Sequence, residues 1–227
     1  MTDPALVLVA HGTRDPAGAE TTEALAALVR RWVPDVRVAY ADVHQPDVTG
    51  VLREVDGPAV VVPAFLTAGY HVLIDIPEQV RAAGVPALLT PHLGADLVPV
   101  ARQRLVEAGW RPGQPVVLAA SGSSDPRARE EVRAAACALG ASAVGFVATS
   151  EPALADVLTG DAAVASWFLA PGLFHRRATA SGAHVVAAPL GAHPAVARLV
   201  VLRYATVSKQ WVAPAGPRLG QRVSYRR

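Results

Sequence analysis

Leu6-Val7-Leu8-Val9-Ala10-His11-Gly12-Thr13-Arg14-Asp15-Pro16 opens the chain with an apolar run, a glycine turn and an Asp-Pro pair. The same pattern returns 110 residues later as Val117-Leu118-Ala119-Ala120-Ser121-Gly122-Ser123-Ser124-Asp125-Pro126. An apolar run with a turn and a polar, helix-like stretch behind it reads as a strand feeding a helix. Its recurrence makes the chain an internal repeat. Other landmarks recur in the same order: Phe65-Leu66-Thr67-Ala68-Gly69 matches Phe168-Leu169-Ala170-Pro171-Gly172, and Thr90-Pro91-His92-Leu93-Gly94 loosely matches Ala188-Pro189-Leu190-Gly191. Short strands at Ala5–Ala10, Arg37–Ala41, Ala59–Pro63, Ala87–Thr90, Val116–Ala120, Ala143–Ala148, Val164–Leu169 and His184–Ala188 alternate with helical stretches such as Ala17–Trp32, Ala95–Ala108 and Pro126–Leu139. That alternation predicts βα units on parallel sheets. The expected fold is α/β, with two similar domains, each a four-stranded, mainly parallel sheet with helices on both faces. Their bounds are 1–110 and 115–207, joined by Arg111-Pro112-Gly113-Gln114-Pro115, with a basic Pro/Gly-containing tail at 208–227.

Composition narrows the class. The 227 residues are 52% hydrophobic and 18% charged with a net charge of +2, which excludes a disordered chain. Apolar runs such as Ala59–Ala64 are too short to span a bilayer. The N-terminus lacks the basic start of a secretory signal, so a cytoplasmic address is expected. One cysteine, Cys137, excludes an internal disulfide or a cysteine-built metal site. The basic tail residues Lys209, Arg218, Arg222, Arg226 and Arg227 read as a terminus; no basic stripe interleaved with aromatics predicts nucleic-acid binding.

Comparing the repeats separates what the fold needs from what it does not. At three strand ends the first copy carries His11, Asp42 and His71, and the second carries Ser121, Ala148 and the apolar Phe174. A fold that tolerates the joint loss of three polar groups does not hold them for stability. Two imidazoles and a carboxylate suit an open site for a first-row divalent metal, and imidazole can also take protons near neutral pH. His44, His92 and His175 have no matching constellation and read as surface or supporting residues, His44, two residues from Asp42, being the first exception.

Ala10-His11-Gly12-Thr13-Arg14, Gln45-Pro46 and Pro63–His71 leading to Asp75-Ile76-Pro77 together resemble the sirohydrochlorin chelatases, class II enzymes that insert iron for sirohaem or cobalt for cobalamin without ATP. Ser121–Pro126 is similar to the second-half signature of their two-domain members, and the resemblance runs from about residue 5 to 205. It implies a lyase that places Fe²⁺ or Co²⁺, with Ni²⁺ also open, into sirohydrochlorin and releases two protons. By that resemblance His11 and His71 are the metal-binding and catalytic pair, with Asp42 at the position of an acid that is Glu in some relatives. No cofactor beyond the metal substrate is expected, and no nucleotide loop is present. The partners are sirohydrochlorin and the ion, with no membrane or nucleic acid, for a monomer or homodimer.

A polycarboxylate substrate calls for cationic and amide donors. Arg14 is the first choice, Ser123 and Ser124 offer hydroxyls and helix-terminal amides, and Arg176 and Arg177 follow the degenerate third-strand motif. The two serines serve equally well as ordinary N-caps. A non-catalytic tetrapyrrole or metal carrier is the alternative function. His-Gly-Thr after a first strand is also similar to a histidine phosphatase start, but Ala10 stands where that motif needs arginine.

Overall fold

The computed structural model describes residues 3–212. Strands β1 (Ala5–Ala10), β2 (Val36–Tyr40), β3 (Ala59–Pro63) and β4 (Ala87–Leu89) form one all-parallel sheet in the order β2-β1-β3-β4. Strands β5 (Val116–Ala120), β6 (Ala143–Phe146) and β7 (Ala163–Ser166) form a second parallel sheet in the order β6-β5-β7. The second sheet thus has three strands where four were expected. The segment around Val186 contributes one parallel bridge to Val164 instead of a strand. It makes that bridge's two hydrogen bonds, Val164 N–H to Val185 O and Ala187 N–H to Val164 O, and then leaves the ladder.

The helices are α1 (Pro16–Val29), α2 (Val48–Arg53), α3 (Ile76–Ala83), α4 (Val98–Glu107), α5 (Pro126–Leu139), α6 (Leu154–Val157), α7 (Leu173–Thr179) and α8 (Pro194–Val212). The repeated Asp-Pro pairs start α1 and α5. Asp15 and Asp125 accept from the N–H of Ala17 and Arg127, and the proline at the first helical position has no N–H to leave orphaned. The N-cap of α5 is therefore Asp125, not Ser123 or Ser124. Helix α8 continues through the residues expected to begin the tail, so Lys209 is helical; Arg218, Arg222, Arg226 and Arg227 lie outside the described residues.

Strands β1 and β5 are apolar throughout because both faces of each sheet are covered. Alternation sorts their side chains. Leu6 and Leu8 of β1 and Leu118 and Ala120 of β5 enter one shared core, while Val7 and Val9 face a cluster of the first half and Val117 and Ala119 a cluster of the second. Helices from each half cross to the other. Helix α8 packs on β3 and α1, and α4 packs on β7 and α5. Polar bonds fasten this exchange: Tyr204 Oη donates to Pro4 O at 2.7 Å, Arg203 Nη2 to Asp96 Oδ2 at 2.6 Å and Arg104 Nη2 to Leu190 O at 3.1 Å. Val196 and Val200 of α8 are fully buried in the shared core. Burying each such side chain contributes about 1.5–3 kcal/mol relative to leaving it exposed, so α8 is part of the shared core and not an appendage to it. The repeats are one structure with a common interior, and the carboxyl ends of both sheets face a single cleft.

Candidate active site

Parallel strands deliver their following loops to one edge, where open α/β sheets bind ligands. His11 follows β1 at the centre of the first sheet, Asp42 follows the neighbouring β2, and His71 lies beyond β3 on the other side. Gly12 makes the first loop possible. Its φ is +94°, and a Cβ there would stand 2.1 Å from the carbonyl oxygen of Asp42. Gly122 repeats the conformation at +92°.

The structure brings His11 and His71 together, with ring centroids 4.6 Å apart and planes at 77°. His11 is exposed on the cleft wall, whereas His71 is half-buried beside it. The Nδ1 atom of each ring is already engaged. His11 Nδ1 lies 3.1 Å from Gly12 O, and His71 Nδ1 lies 2.8 Å from Asp75 Oδ2. Both partners are acceptors, so each Nδ1 donates a hydrogen bond to its partner and Nε2 is the ring nitrogen left for other chemistry. Desolvation by the surrounding protein, and then the adjacent His71 ring, hold the His11 pKa below the ordinary imidazole value; Asp42 opposes this weakly. His11 is thus neutral at neutral pH and available as a ligand or a base.

Asp42 is placed differently from the expected three-donor set. Its Oδ1 accepts the N–H of Val43 at 2.7 Å, and among the described residues no three His, Cys, Asp or Glu side chains gather as a metal-holding group. Val43, a β-branched residue at φ +67°, is a conformation that costs on the order of 1–3 kcal/mol, and it stands exposed on the cleft wall. Asp42 therefore acts on His11 through its charge.

The carboxylate that touches an imidazole is Asp75, which lies one π-helical turn beyond His71. Gln79 orients it, donating through Nε2 to Asp75 Oδ1 at 2.9 Å and to Ala41 O at 3.2 Å. The i, i+4 spacing of His71, Asp75 and Gln79 was the available sequence signal. His44 lies against the carbonyl oxygen of Thr13 and so props the loop that carries His11 and Arg14.

The cleft between the halves holds about 880 Å³, within the range of roughly 300–1,000 Å³ for small-molecule sites. Phe65, Trp167, Leu169, Leu173 and Phe174 give it apolar walls, and Arg14, Arg129 and Arg176 give it cations. Arg129 was missed in the sequence, where it is one more arginine of a helix. The structure places it in the first turn of α5, its Nη1 donating to Ser123 O at 2.7 Å and Ser124 O at 3.1 Å. Arg176 pairs with Asp15 across the cleft. Arg177 is turned away, its Nη1 donating to Val147 O at 3.1 Å. Ser123 lines the cleft, with its Oγ accepting the Asp125 N–H. Ser124 instead faces a separate depression beside Tyr70, Leu73 and Ile74.

The CbiX family model matches residues 5–108, the half that holds both imidazoles. A sirohydrochlorin cobaltochelatase of Methanococcoides burtonii is 32% identical over 82 residues, which are 34% of this chain and 63% of that protein. The chain thus spans less than two thirds of that relative's length. Among solved structures, SirB from Bacillus subtilis with Fe³⁺ superposes with a TM-score of 0.75 at 21% identity, covering 93% of this chain and 98% of that one. CbiX, described as the terminal enzyme of siroheme biosynthesis in denitrifying bacteria, superposes with a TM-score of 0.70 at 26% identity, covering 89% and 99%. The architecture is shared along nearly the whole chain, and the matched segment contains the paired imidazoles at its strand ends. The half that carries both imidazoles is thus similar to the CbiX family, and the fold of the whole chain is that of the sirohydrochlorin chelatase structures.

Proposed function

We propose that this protein inserts a divalent metal ion, Fe²⁺ or Co²⁺, into sirohydrochlorin without a nucleotide. The observation that carries the reading is the pair of imidazoles, His11 and His71, with ring centroids 4.6 Å apart beside a cleft with apolar walls and arginines. The relatives support the substrate: one is a sirohydrochlorin cobaltochelatase, and another is a structure with Fe³⁺.

The residues suggest how the step balances. The two Nε2 atoms hold the ion with few donors, which leaves coordination positions open and the ion easy to give up. Apolar walls receive the macrocycle, and Arg14, Arg129 and Arg176 face its carboxylates. As the ion passes to the ring nitrogens, two pyrrole N–H bonds break and two imidazole lone pairs are freed, one for each proton. Asp75 beside His71 and the charge of Asp42 near His11 stabilise the imidazolium that forms. Asp42 is thus assigned to electrostatics rather than ligation.

An anaerobic absorbance time course with purified protein, sirohydrochlorin and Fe²⁺ or Co²⁺ tests the reading. Repeated turnover unaffected by ATP is expected. Stoichiometric binding without turnover would make the protein a carrier, and an ATP requirement would overturn the proposal.

Two further results follow. Arg14→Ala should raise the KM for the tetrapyrrole about 10-fold with kcat within a few-fold, since a charge-assisted hydrogen bond contributes about 1.5–3 kcal/mol to ground and transition states alike. Arg177→Ala, turned away from the cleft, should leave KM unchanged; steady-state kinetics on both variants checks the pair. Protons compete with metal for His11, and its lowered pKa moves that competition to more acid solution. Co²⁺ binding should therefore be flat above neutrality and fall only below about pH 6.5, the ordinary imidazole value. An NMR titration of the His11 ring signals in metal-free protein should give a midpoint below that value; one above it would contradict the assignment.

A further inference from the structure

Glu131 belongs to α5 of the half that carries neither imidazole, yet its Oε2 atom makes two bonds to the other half. It accepts the backbone N–H of Ala68 at 2.8 Å and lies 3.1 Å from His92 Nε2. Ala68 stands three residues before His71, in the loop that leads from β3 to that imidazole. The loop is otherwise anchored near its start, where Phe65 O accepts the N–H groups of Leu93 at 3.1 Å and Gly94 at 3.2 Å. Beyond Phe65, the bond from Ala68 to Glu131 is the hold nearest to His71 that comes from outside the loop and its own helix. His92 belongs to the same assembly: its ring meets Glu131, and its carbonyl accepts from Arg203 of α8 at 3.3 Å. Glu131 is half-exposed, so a buried structural ion pair is not what keeps it there.

We propose that Glu131 is a positioning residue for His71, and that the half carrying neither His11 nor His71 takes part in metal binding by this bond. The inference rests on the reading of His11 and His71 as the metal-holding pair. When Glu131 is lost, the Ala68 N–H has no acceptor from the second half, the loop is free to shift between Phe65 and Gly69, and the spacing of the two imidazoles is no longer held. A bond that only stitched the halves together would change stability and leave metal affinity alone.

The test is titration of the metal-free full chain with Co²⁺ alone, comparing wild type with Glu131→Ala, Glu131→Gln and His71→Ala, with thermal melts of each. Support residues around metal ligands change affinity by about 10–100-fold, and one acting through the backbone belongs at the low end. Glu131→Ala is therefore expected to weaken Co²⁺ binding about 10-fold. Glu131→Gln, whose amide oxygen still accepts from Ala68, should stay within about 2-fold of wild type, a rescue that neither loss of charge nor loose stitching predicts. Wild-type affinity in Glu131→Ala overturns the proposal. Equal losses in the Ala and Gln variants also overturn it, because the carboxylate charge would then be what matters. If Glu131→Ala does not fold, Glu131→Met, which fills the space without an acceptor for Ala68, takes its place: a loss of about 10-fold supports the proposal and wild-type affinity overturns it. Undiminished binding in His71→Ala would instead sink the metal-site reading, and this inference with it.

Discussion

His71→Ala and His11→Ala are each expected to slow metal insertion by more than about 100-fold while leaving the protein folded, a loss typical of an acid–base group. The motive for expecting an intact fold is internal: the second repeat builds the same loops with Ser121 in place of His11 and an apolar residue in place of His71. His11 is exposed and makes only one bond, to its neighbour's carbonyl, so its removal leaves little unsatisfied. His71 leaves Asp75 without its imidazole partner, but the carboxylate retains the amide of Gln79 and access to water. Circular dichroism and a thermal melt establish folding, and the anaerobic absorbance assay gives the rate. Wild-type rates in both variants would remove the imidazoles from the mechanism.

The second large effect is expected at Asp75. It does not touch the ion in the proposed mechanism; it accepts from Nδ1 of His71 and so leaves Nε2 as the ring nitrogen for the ion. Partners of this kind typically contribute 10–100-fold in metal affinity or activity. Asp75→Ala should therefore weaken Co²⁺ binding by about that range. Asp75→Asn should fall between, because its amide oxygen can accept from Nδ1–H but carries no charge to stabilise the imidazolium. Calorimetric titration with Co²⁺ checks both variants. Equal affinity across wild type, Ala and Asn would show that the His71 tautomer is set by something else.

The reading of residues alone reached most of the fold for an identifiable reason. A strand buried on both faces must be apolar along its length, and Ala5–Ala10, Ala59–Pro63 and Val116–Ala120 are found with the bounds expected of them. The Asp-Pro helix starts are equally local, since the cap and the missing N–H act within one turn. Where tertiary support decides, the reading failed. His184–Ala188 has strand composition but forms a single bridge, because pairing depends on a partner's path and not on propensity.

The site divides along the same line. The repeat itself picked out His11 and His71, because a duplicated fold with and without a residue is a comparison written into one chain. Which carboxylate serves them was not contained in that comparison. Asp42 was the acid missing from the second copy, but its side chain folds back onto the Val43 N–H, while Asp75 reaches His71 because a π-helical turn places it there. Arg129, Arg177 and Glu131 are arginines and a glutamate of ordinary helices in sequence. The cleft claims the first, excludes the second and ties the third to Ala68 only because the helices of the two halves cross over. Sequence determined the central strands, the helix starts, the duplication and the choice of His11 and His71, since these rest on local chemistry or on the repeat. Tertiary structure decided the shared core, the single bridge in place of an eighth strand and the contacts between halves, since each depends on groups far apart in the chain meeting in space.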